Sequence, residues 1–256
     1  MTTEDIAPAV RHRHSLLGPG WLTRLLKSVP SQCRVCHTWP SAVVCSDCRN
    51  RFGTPTPRCV RCATPLPAGL GHPLEHDREC GTCLRHPPAL ARCIAAVHYA
   101  YPWDQLIGRF KFGDEPALAT ALGQLWTKHL GVQELVRVCD ALIPMPLSRQ
   151  RLHSRGYNQA SLLAHQLDPS KTRNSVLLRI RDTRAQSECS VGERLLNVRH
   201  AFAVDPTQRH CIRDQHLLLI DDVMTTGASL YEAAETLLRA GASKVSAVVL
   251  ARTHNG

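Results

Sequence analysis

The segment Leu217–Ser229 has the residue types needed to bind a phosphorylated sugar. It reads Leu-Leu-Leu-Ile-Asp-Asp-Val-Met-Thr-Thr-Gly-Ala-Ser, so an apolar strand delivers Asp221 and Asp222 to a hydroxyl-rich loop that opens a helix. Backbone N–H groups at a helix start, joined by Thr and Ser hydroxyls, form a cradle for a phosphate dianion. Paired carboxylates would repel that anion and suit sugar hydroxyls better. The pattern therefore predicts a ribose 5-phosphate site, whereas the Gly-Lys-Ser/Thr of a Walker loop and the G-x-G-x-x-G of a dinucleotide fold are absent.

Eight of the twelve cysteines form four C-x-x-C pairs between Cys33 and Cys83. Both sulfurs of such a pair can reach one metal at about 2.3 Å, and two pairs complete a tetrahedron without an open position, which is typical of structural zinc. The spacing favours neighbouring pairs, while an interleaved pairing and iron–sulfur ligation remain alternatives. The predicted ligands of two zinc ions are Cys33, Cys36, Cys45, Cys48, Cys59, Cys62, Cys80 and Cys83.

Other residues near these pairs are expected to play lesser parts. His72, His76 and Asp77 could replace a cysteine ligand, but we expect them to be exposed loop residues. The single cysteines Cys93, Cys139, Cys189 and Cys211 are expected to be small buried hydrophobic residues.

Apolar periodicity divides the chain into three parts. Residues 1–32 are predicted to be a weakly ordered leader, or a docked short helix with apolar residues at helical spacing between Trp21 and Leu26. Residues 33–88 are rich in Cys, Pro, Arg and Gly and need metal to fold. Residues 89–256 alternate strands with helices, which predicts an α/β domain with a mostly parallel central sheet flanked by helices.

Specific elements are expected around the site. A strand is predicted at Ile94–Tyr99, and another at Ala141–Ile143 is followed by a Pro144–Pro146 turn and an Arg-rich loop. A helix over Asn158–Leu167 comes next, and later a strand Leu217–Ile220, a loop Asp221–Ser229, a helix from Leu230 and a strand Val245–Ala251. Ligands of such sheets bind beyond the carboxyl ends of the strands, where these loops lie.

Composition and charge exclude several classes of protein. The chain has 256 residues, of which 43% are hydrophobic and 20% charged, so it is expected to be globular. No apolar run approaches the roughly 18 residues that cross a bilayer. The N-terminus has Glu4 and Asp5 but no signal-peptide core, which favours a cytoplasmic protein. The net charge is +10, and residues 147–213 have twelve Lys and Arg against five Asp and Glu, which predicts attraction to phosphate or simply a solvated face.

Several segments together carry a family resemblance. The Asp221–Ser229 loop resembles the signature of type I phosphoribosyltransferases for 5-phosphoribosyl 1-pyrophosphate (PRPP). Ile143–Leu147, Arg149, Arg151 and Arg155–Ala160 resemble a block of the ComF competence family, as do Phe110–Gly113 and the series Arg184, Gln186, Arg194 and Asn197. ComF-like proteins have an N-terminal cysteine zinc finger, and the four-knuckle version here is similar to that of the GntX-like members. The resemblance covers residues 33–254 and implies a type I phosphoribosyltransferase fold behind a double zinc finger.

The resemblance implies roles for individual residues. Asp221 and Asp222 would hold the ribose hydroxyls and, with Lys111, are the catalytic candidates. Mg²⁺ would bridge pyrophosphate and ribose oxygens. For Lys111 and the arginines the alternative is surface solvation, and for Asn158 and Gln159 it is capping of the following helix. The implied PRPP-binding residues are Asp221, Asp222, Thr225, Thr226, Gly227, Ala228, Ser229, Pro144, Met145, Arg149, Arg155 and Asn158, with Arg151 close to them.

Two functions follow from the resemblance. The first is a PRPP-binding protein that takes part in DNA uptake, natural competence or the use of extracellular DNA, handles single-stranded DNA in the cytoplasm and works with the competence helicase or DNA-import machinery. The alternative is an active phosphoribosyltransferase for a purine, an amine or another acceptor, because no residue reveals the acceptor and turnover is left open. The zinc finger either contacts DNA or only braces the fold. Segment 168–199 is expected to close over the ligand as a lid.

Overall fold

The computed structural model describes residues 31–67, 78–181 and 200–253. The predictions for the leader up to residue 30, for His72, His76 and Asp77, and for Arg184, Gln186, Arg194 and Asn197 lie outside the described residues. The described helices are α1 (Ser46–Phe52), α2 (Gly81–Arg85), α3 (Trp103–Phe112), α4 (Leu118–Thr127), α5 (Leu130–Val138), α6 (Arg149–Arg155), α7 (Gln159–Leu167) and α8 (Ala228–Arg239), with a 3₁₀ helix at Pro206–Cys211. The described strands are β1 (Cys93–His98), β2 (Ala141–Pro144), β3 (Leu177–Arg179), β4 (Phe202–Val204), β5 (His216–Met224) and β6 (Lys244–Arg252).

The central sheet of the described chain is entirely parallel, with the strand order β1-β6-β5-β2. Its middle strands contain the apolar runs Leu217–Ile220 and Val245–Ala251, whose residues are buried on both faces of the sheet. Continuous apolar runs are typical of parallel strands covered on both sides. The predicted α/β fold with a parallel central sheet is thereby confirmed.

Two core layers cover the sheet. The first layer joins Leu218 and Ile220 to buried residues of α3, α4, α5 and α7. The second joins Leu217 and Leu219 to the buried face of α8, which is formed by Leu230, Ala233, Ala234 and Leu237. The helix α7, which follows β2, thus packs in the first layer, whereas α8, which follows β5, packs in the second layer. A crevice at such a switch between neighbouring strands is where open α/β sheets bind ligands.

Most element boundaries around the site differ from the predictions by one or two residues, such as Pro144, which ends β2 and does not begin a turn, but two differences are larger. Asp221 and Asp222 lie inside β5 and not in a loop, because the pairing of β5 with β6 continues as far as Met224 and Arg252. The Arg-rich stretch after Pro146 is the helix α6 and not a loop, because the Ser148 side chain accepts a hydrogen bond from the helix start. The helix ends at Gly156, a C-cap in the left-handed conformation that is common at helix ends.

Other predicted elements are confirmed. The helix predicted over Asn158–Leu167 begins at Gln159 with Asn158 as its N-cap, and the predicted strand near Ile94 spans Cys93–His98. The segment proposed as a lid contains β3, which pairs antiparallel with β4, while residues 182–199 lie outside the described residues. Among the described helices, none has the length and apolarity required to cross a bilayer.

The cysteine-rich segment is built into both core layers. Cys33 and Cys48 lie in the first layer, whereas Cys59, Cys62 and Cys83 lie in the second. The two cysteine groups therefore brace different sides of the same sheet.

Candidate functional site

The acidic pair lies at the carboxyl end of β5, beside the end of β2. The Nζ atom of Lys111, in the last turn of α3, lies 2.8 Å from Oδ1 of Asp222, and the two side chains are 18% and 9% exposed. The backbone N–H of Asp222 donates to Oδ1 of Asp221 over 2.9 Å. The structure therefore brings together the three predicted catalytic candidates.

The Asp221 carboxyl is electrostatically unusual. Burial, followed by the charge of Asp222, raises the pKa of Asp221 to about 7, although the charge of Lys111 acts in the opposite direction. Perturbed carboxyls of this kind are concentrated at functional sites, although structural ion pairs also produce them. A cation or hydroxyl donor arriving at this pair would favour the ionised form of Asp221.

The predicted phosphate loop makes a tight turn from β5 into α8. Gly227 has φ +87°, and a Cβ atom there would lie 2.4 Å from the Met224 Cε and 2.6 Å from the Tyr231 Cζ. Only glycine satisfies both the left-handed backbone and the close approach. The Thr226 hydroxyl accepts from the N–H of Ala228 over 3.4 Å. The loop forms a small concavity with Asp221 at one side, and Thr225, Gly227, Ala228 and Ser229 line it.

A cleft extends from this loop towards α6 and α7. Its lining includes both acids and four cationic side chains, which are Lys111, Arg151, Arg155 and Arg179. The Arg155 guanidinium stacks 4.7 Å from the ring centre of Phe112, and burial lowers the pKa of Arg155. The cleft is thus acidic at the end of β5 and cationic around it.

The three arginines predicted in or near the PRPP site occupy different positions relative to the cleft. Arg151 and Arg155 line the cleft, whereas Arg149 is exposed at the start of α6 and is not among the lining residues. Residues 151 and 155 are four positions apart and lie on one face of α6. Residue 149 is two positions before residue 151 and therefore lies on a different face. The role predicted for Arg149 stays a prediction.

Asn158 connects the residues that follow β2 to the start of α7. Its Oδ1 accepts from the N–H of Ala160 over 2.9 Å, and its Nδ2 donates to the carbonyl of Met145 over 3.0 Å. The N–H of Met145 in turn donates to the carbonyl of Ile220 over 2.9 Å. Asn158 is therefore a helix cap that also holds Met145, the residue after the end of β2, beside the acidic pair.

Gln159 and Arg179 line the cleft but were not predicted as ligand-binding residues. The Gln159 Oε1 accepts from Arg155 over 3.2 Å, so its Nε2 faces elsewhere, because arginine can only donate. The residue is 1% exposed, and that Nε2 has no hydrogen-bond partner within the described part of the chain. Arg179 comes from β3, which lies in the segment predicted to be a lid. No sequence pattern places Arg179 beside Asp221, since the sheet topology does so, whereas Gln159 lies in the Arg155–Ala160 block that carries the family resemblance.

Each group of four cysteines has the geometry of a tetrahedral metal site. The structure gathers Cys33, Cys36, Cys45 and Cys48 in one group and Cys59, Cys62, Cys80 and Cys83 in the other, with the sulfurs of each group within 4.8 Å of one another. Sγ–Sγ distances are 3.9 Å for Cys33–Cys48 and 3.7 Å for both Cys36–Cys45 and Cys62–Cys80. A zinc tetrahedron with bonds of about 2.3 Å has sulfurs about 3.8 Å apart. The two groups can hold structural zinc, and the pairing of neighbouring knuckles is confirmed.

Hydrogen bonds to sulfur prepare the second group for a cation. The N–H of Cys80 donates to Sγ of Cys59 over 3.2 Å. The side chain of Cys62, with backbone N–H groups including that of Cys80, lowers the pKa of Cys59 to about 4. Burial raises the pKa of Cys83 to about 12, so a bound cation is needed to favour all four thiolates together.

The single cysteines have different surroundings. Cys93 and Cys139 are buried as predicted, and burial raises their pKa values to about 12 and about 11, which disfavours the nucleophilic thiolate form. Cys211 is exposed and so does not match the prediction, because it ends a surface 3₁₀ helix. Cys189 lies outside the described residues.

Comparison with known proteins places this architecture in a family. Residues 153–256 match the phosphoribosyl transferase domain. The chain is 31% identical over 236 residues to the DNA utilization protein YhgH of Escherichia coli O6:H1, an alignment that covers 88% of this chain and 99% of that protein. It is 30% identical to Competence protein F of Haemophilus influenzae, covering 82% of this chain and 90% of the relative, and 30% identical to Competence protein ComFC of Bacillus subtilis, covering 84% and 86%. With its two groups of four cysteines and its phosphoribosyltransferase fold, the chain belongs to the ComF family.

Proposed function

We propose that this protein binds PRPP with Mg²⁺ at the end of β5 and acts in the uptake or use of DNA in the cytoplasm. One observation carries the proposal. The acids Asp221 and Asp222 and the loop Thr225–Ser229 lie close together in one segment at a switch point of the sheet, beside a cleft with four cationic side chains. Each part suits a different group of PRPP.

The charge of each part of the site indicates which group of PRPP it would bind. The loop at the N-terminus of α8 offers N–H groups and hydroxyls to the 5-phosphate. Asp221 and Asp222 accept hydrogen bonds from the ribose hydroxyls. The pyrophosphate is assigned to the cationic side of the cleft, where Arg151 and Arg155 are supplemented by the buried Nε2 of Gln159, which has no hydrogen-bond partner among the described residues. Carboxylates with substrate phosphates are the ligand set that Mg²⁺ prefers, so the acidic pair fits a magnesium–PRPP complex.

A role with DNA is supported by the names of the relatives and by charge. The relatives include a DNA utilization protein and two competence proteins. The net charge is +10, with most of the excess in residues 147–213, and only 5% of residues are aromatic. We therefore propose electrostatic binding of the single-stranded backbone, with partners in the DNA-import machinery, and no extended platform for stacking bases.

A second candidate function is phosphoribosyl transfer to an unidentified acceptor. It is favoured by the position of Lys111, which lies against Asp222 where the ribose would bind. In such a reaction the bond from the anomeric carbon to pyrophosphate breaks while the bond to the acceptor forms. Positive charge develops on the sugar, and the carboxylates of Asp221 and Asp222 would stabilise it.

Two assays separate these functions. Labelled single-stranded DNA is titrated at several salt concentrations, with and without magnesium–PRPP, into wild-type protein and the double variant Asp221→Asn/Asp222→Asn. DNA binding that weakens with salt and persists in the double variant supports the nucleic-acid role, while its absence at low salt contradicts it. Pyrophosphate release that requires a particular base or amine supports transfer. An exposed acid of α8 provides the matched control, Glu235→Gln.

A further inference from the structure

A buried arginine joins the phosphate loop to the second cysteine group. Arg252, the last residue of β6, is 3% exposed. Its Nη1 donates to the carbonyl of Met224 over 3.2 Å and also to the carbonyl of Thr225. On its other side, Nε donates to the carbonyl of Cys62 over 3.1 Å, and Nη2 donates to Oγ1 of Thr64 over 3.3 Å. One guanidinium therefore holds two successive carbonyls at the start of the loop and the backbone of a zinc knuckle.

The charge of this arginine requires a counter-charge. Among the described residues, no carboxylate lies within 4 Å of the Arg252 guanidinium. A second guanidinium, that of Arg58, donates to the carbonyl of Ala63 in the same knuckle over 2.9 Å. Burying cations without compensation is unfavourable. Four thiolates on one Zn²⁺ carry a net charge of about −2, so the loaded second group can compensate the buried Arg252 and the half-buried Arg58.

The loop and the second group are also connected through Cys93 and Tyr231. Sγ of Cys93 lies 3.7 Å from Sδ of Met224, and the N–H of Cys93 donates to the carbonyl of Val60 over 2.7 Å. Tyr231, whose ring lies against Gly227, packs against the core layer that contains Cys59 and Cys62. A displacement of this knuckle would therefore be transmitted to the loop through the Arg252 hydrogen bonds and through the contacts of Cys93 and Tyr231.

The first cysteine group makes different connections. Nη1 of Arg49, one residue after Cys48, donates to Oε1 of Gln124 on α4 over 2.6 Å. Nε1 of Trp103 donates to the carbonyl of Phe52 at the end of α1 over 2.8 Å. This group therefore braces the helical layer on the opposite side of the sheet.

We propose that Arg252 is a positioning residue through which zinc in the second cysteine group sets the shape of the phosphate loop. PRPP binding then depends on the second zinc site and is nearly independent of the first. The predicted effect on PRPP affinity rests on the proposed function. The order of the loop, in contrast, can be measured by hydrogen exchange without any ligand.

The first experiment compares one buried cysteine from each group in the full chain. Cys83→Ser and Cys48→Ser are purified with zinc, and their metal content, circular dichroism and affinity for magnesium–PRPP are measured. Each variant is expected to lose about one zinc equivalent. Cys83→Ser should weaken PRPP binding about tenfold or more, while Cys48→Ser should change it less than about threefold. Equal effects of the two variants on folded protein would overturn the proposal.

The second experiment tests Arg252 with both zinc ions retained. Hydrogen exchange of the amides from residue 224 to 230 is compared in wild-type protein, Arg252→Met and Arg252→Lys. Faster exchange there in Arg252→Met, partly reversed in Arg252→Lys, is expected, with unchanged exchange in α4 and unchanged zinc content. Unchanged loop exchange in Arg252→Met would overturn the proposal, even if both cysteine variants fail to fold. If wild-type protein binds no PRPP, the proposed function fails, but the exchange result still decides the role of Arg252.

Discussion

Lys111 and Asp222 form an ion pair in which Nζ lies 2.8 Å from Oδ1, at the point where β5 meets the cleft. Because neither side chain is more than one-fifth exposed, each charge depends on the other for compensation. Magnesium–PRPP would bring new cationic and hydroxyl partners to the same carboxylate. We therefore expect this ion pair to rearrange if magnesium–PRPP binds as proposed.

Removing the lysine should destabilise the free protein. Lys111→Met leaves the Asp222 carboxylate without its partner and should lower the free energy of unfolding by about 1–3 kcal/mol in urea titrations. Asp222→Asn in the same background should recover much of this loss, because no uncompensated charge remains. Strictly additive effects in the double-mutant cycle would show that the two side chains do not interact.

Stability should depend on pH through Asp221. Its pKa is raised to about 7 from an ordinary value of 3.8, so between these values the folded chain holds a proton that the unfolded chain has lost. The free energy of unfolding should then fall as the pH rises from about 4 to about 7, by at most about 1.4 kcal/mol per pH unit. Asp221→Asn should lack this component, so its stability relative to wild type should improve with pH. Parallel stability profiles for the two proteins in urea titrations would refute the assignment.

Much of the fold could be predicted because local patterns determined it. Apolar runs identified β5 and β6, and the spacing of Asn158 from the following apolar residues identified the start of α7. The end of β5 could not be predicted, because its acids are held in the strand by pairing with β6, which is distant in the sequence. Arg179 and Arg252 reach the site from other strands in the same way, so no local motif reveals them.

The left-handed glycine of the phosphate loop should resist substitution for two separate reasons. Gly227→Ala should cost about 2–4 kcal/mol of stability, since it combines an unfavourable backbone conformation with overlap of Met224 and Tyr231. Gly156→Ala is the matched control, because Gly156 has φ +73° but open space around its Cβ position, and it should cost about 1 kcal/mol. Urea titrations measure both values. Equal costs would mean that the close approach at Gly227 is unimportant.

Two arginines on one helix should differ in their effect on PRPP binding. Arg151 lines the cleft, whereas Arg149 is exposed outside it. Arg151→Ala should raise the dissociation constant for magnesium–PRPP about tenfold, as expected for the loss of one charge-assisted contact, while Arg149→Ala should change it less than about twofold. Calorimetric titration measures both. A larger effect of Arg149→Ala would instead assign the pyrophosphate to the outer side of α6.

The proposed PRPP site consists of Asp221, Asp222 and the following loop. Its most direct test is calorimetric titration of magnesium–PRPP into the zinc-loaded wild type, into Asp221→Asn/Asp222→Asn and into Glu235→Gln, whose replaced acid lies on the exposed side of α8. We predict binding to wild type and to Glu235→Gln with similar affinity, and a loss of at least about a hundredfold in the double variant, because two charged contacts are removed. Absence of binding to the wild type, or undiminished binding to the double variant, would contradict the claim.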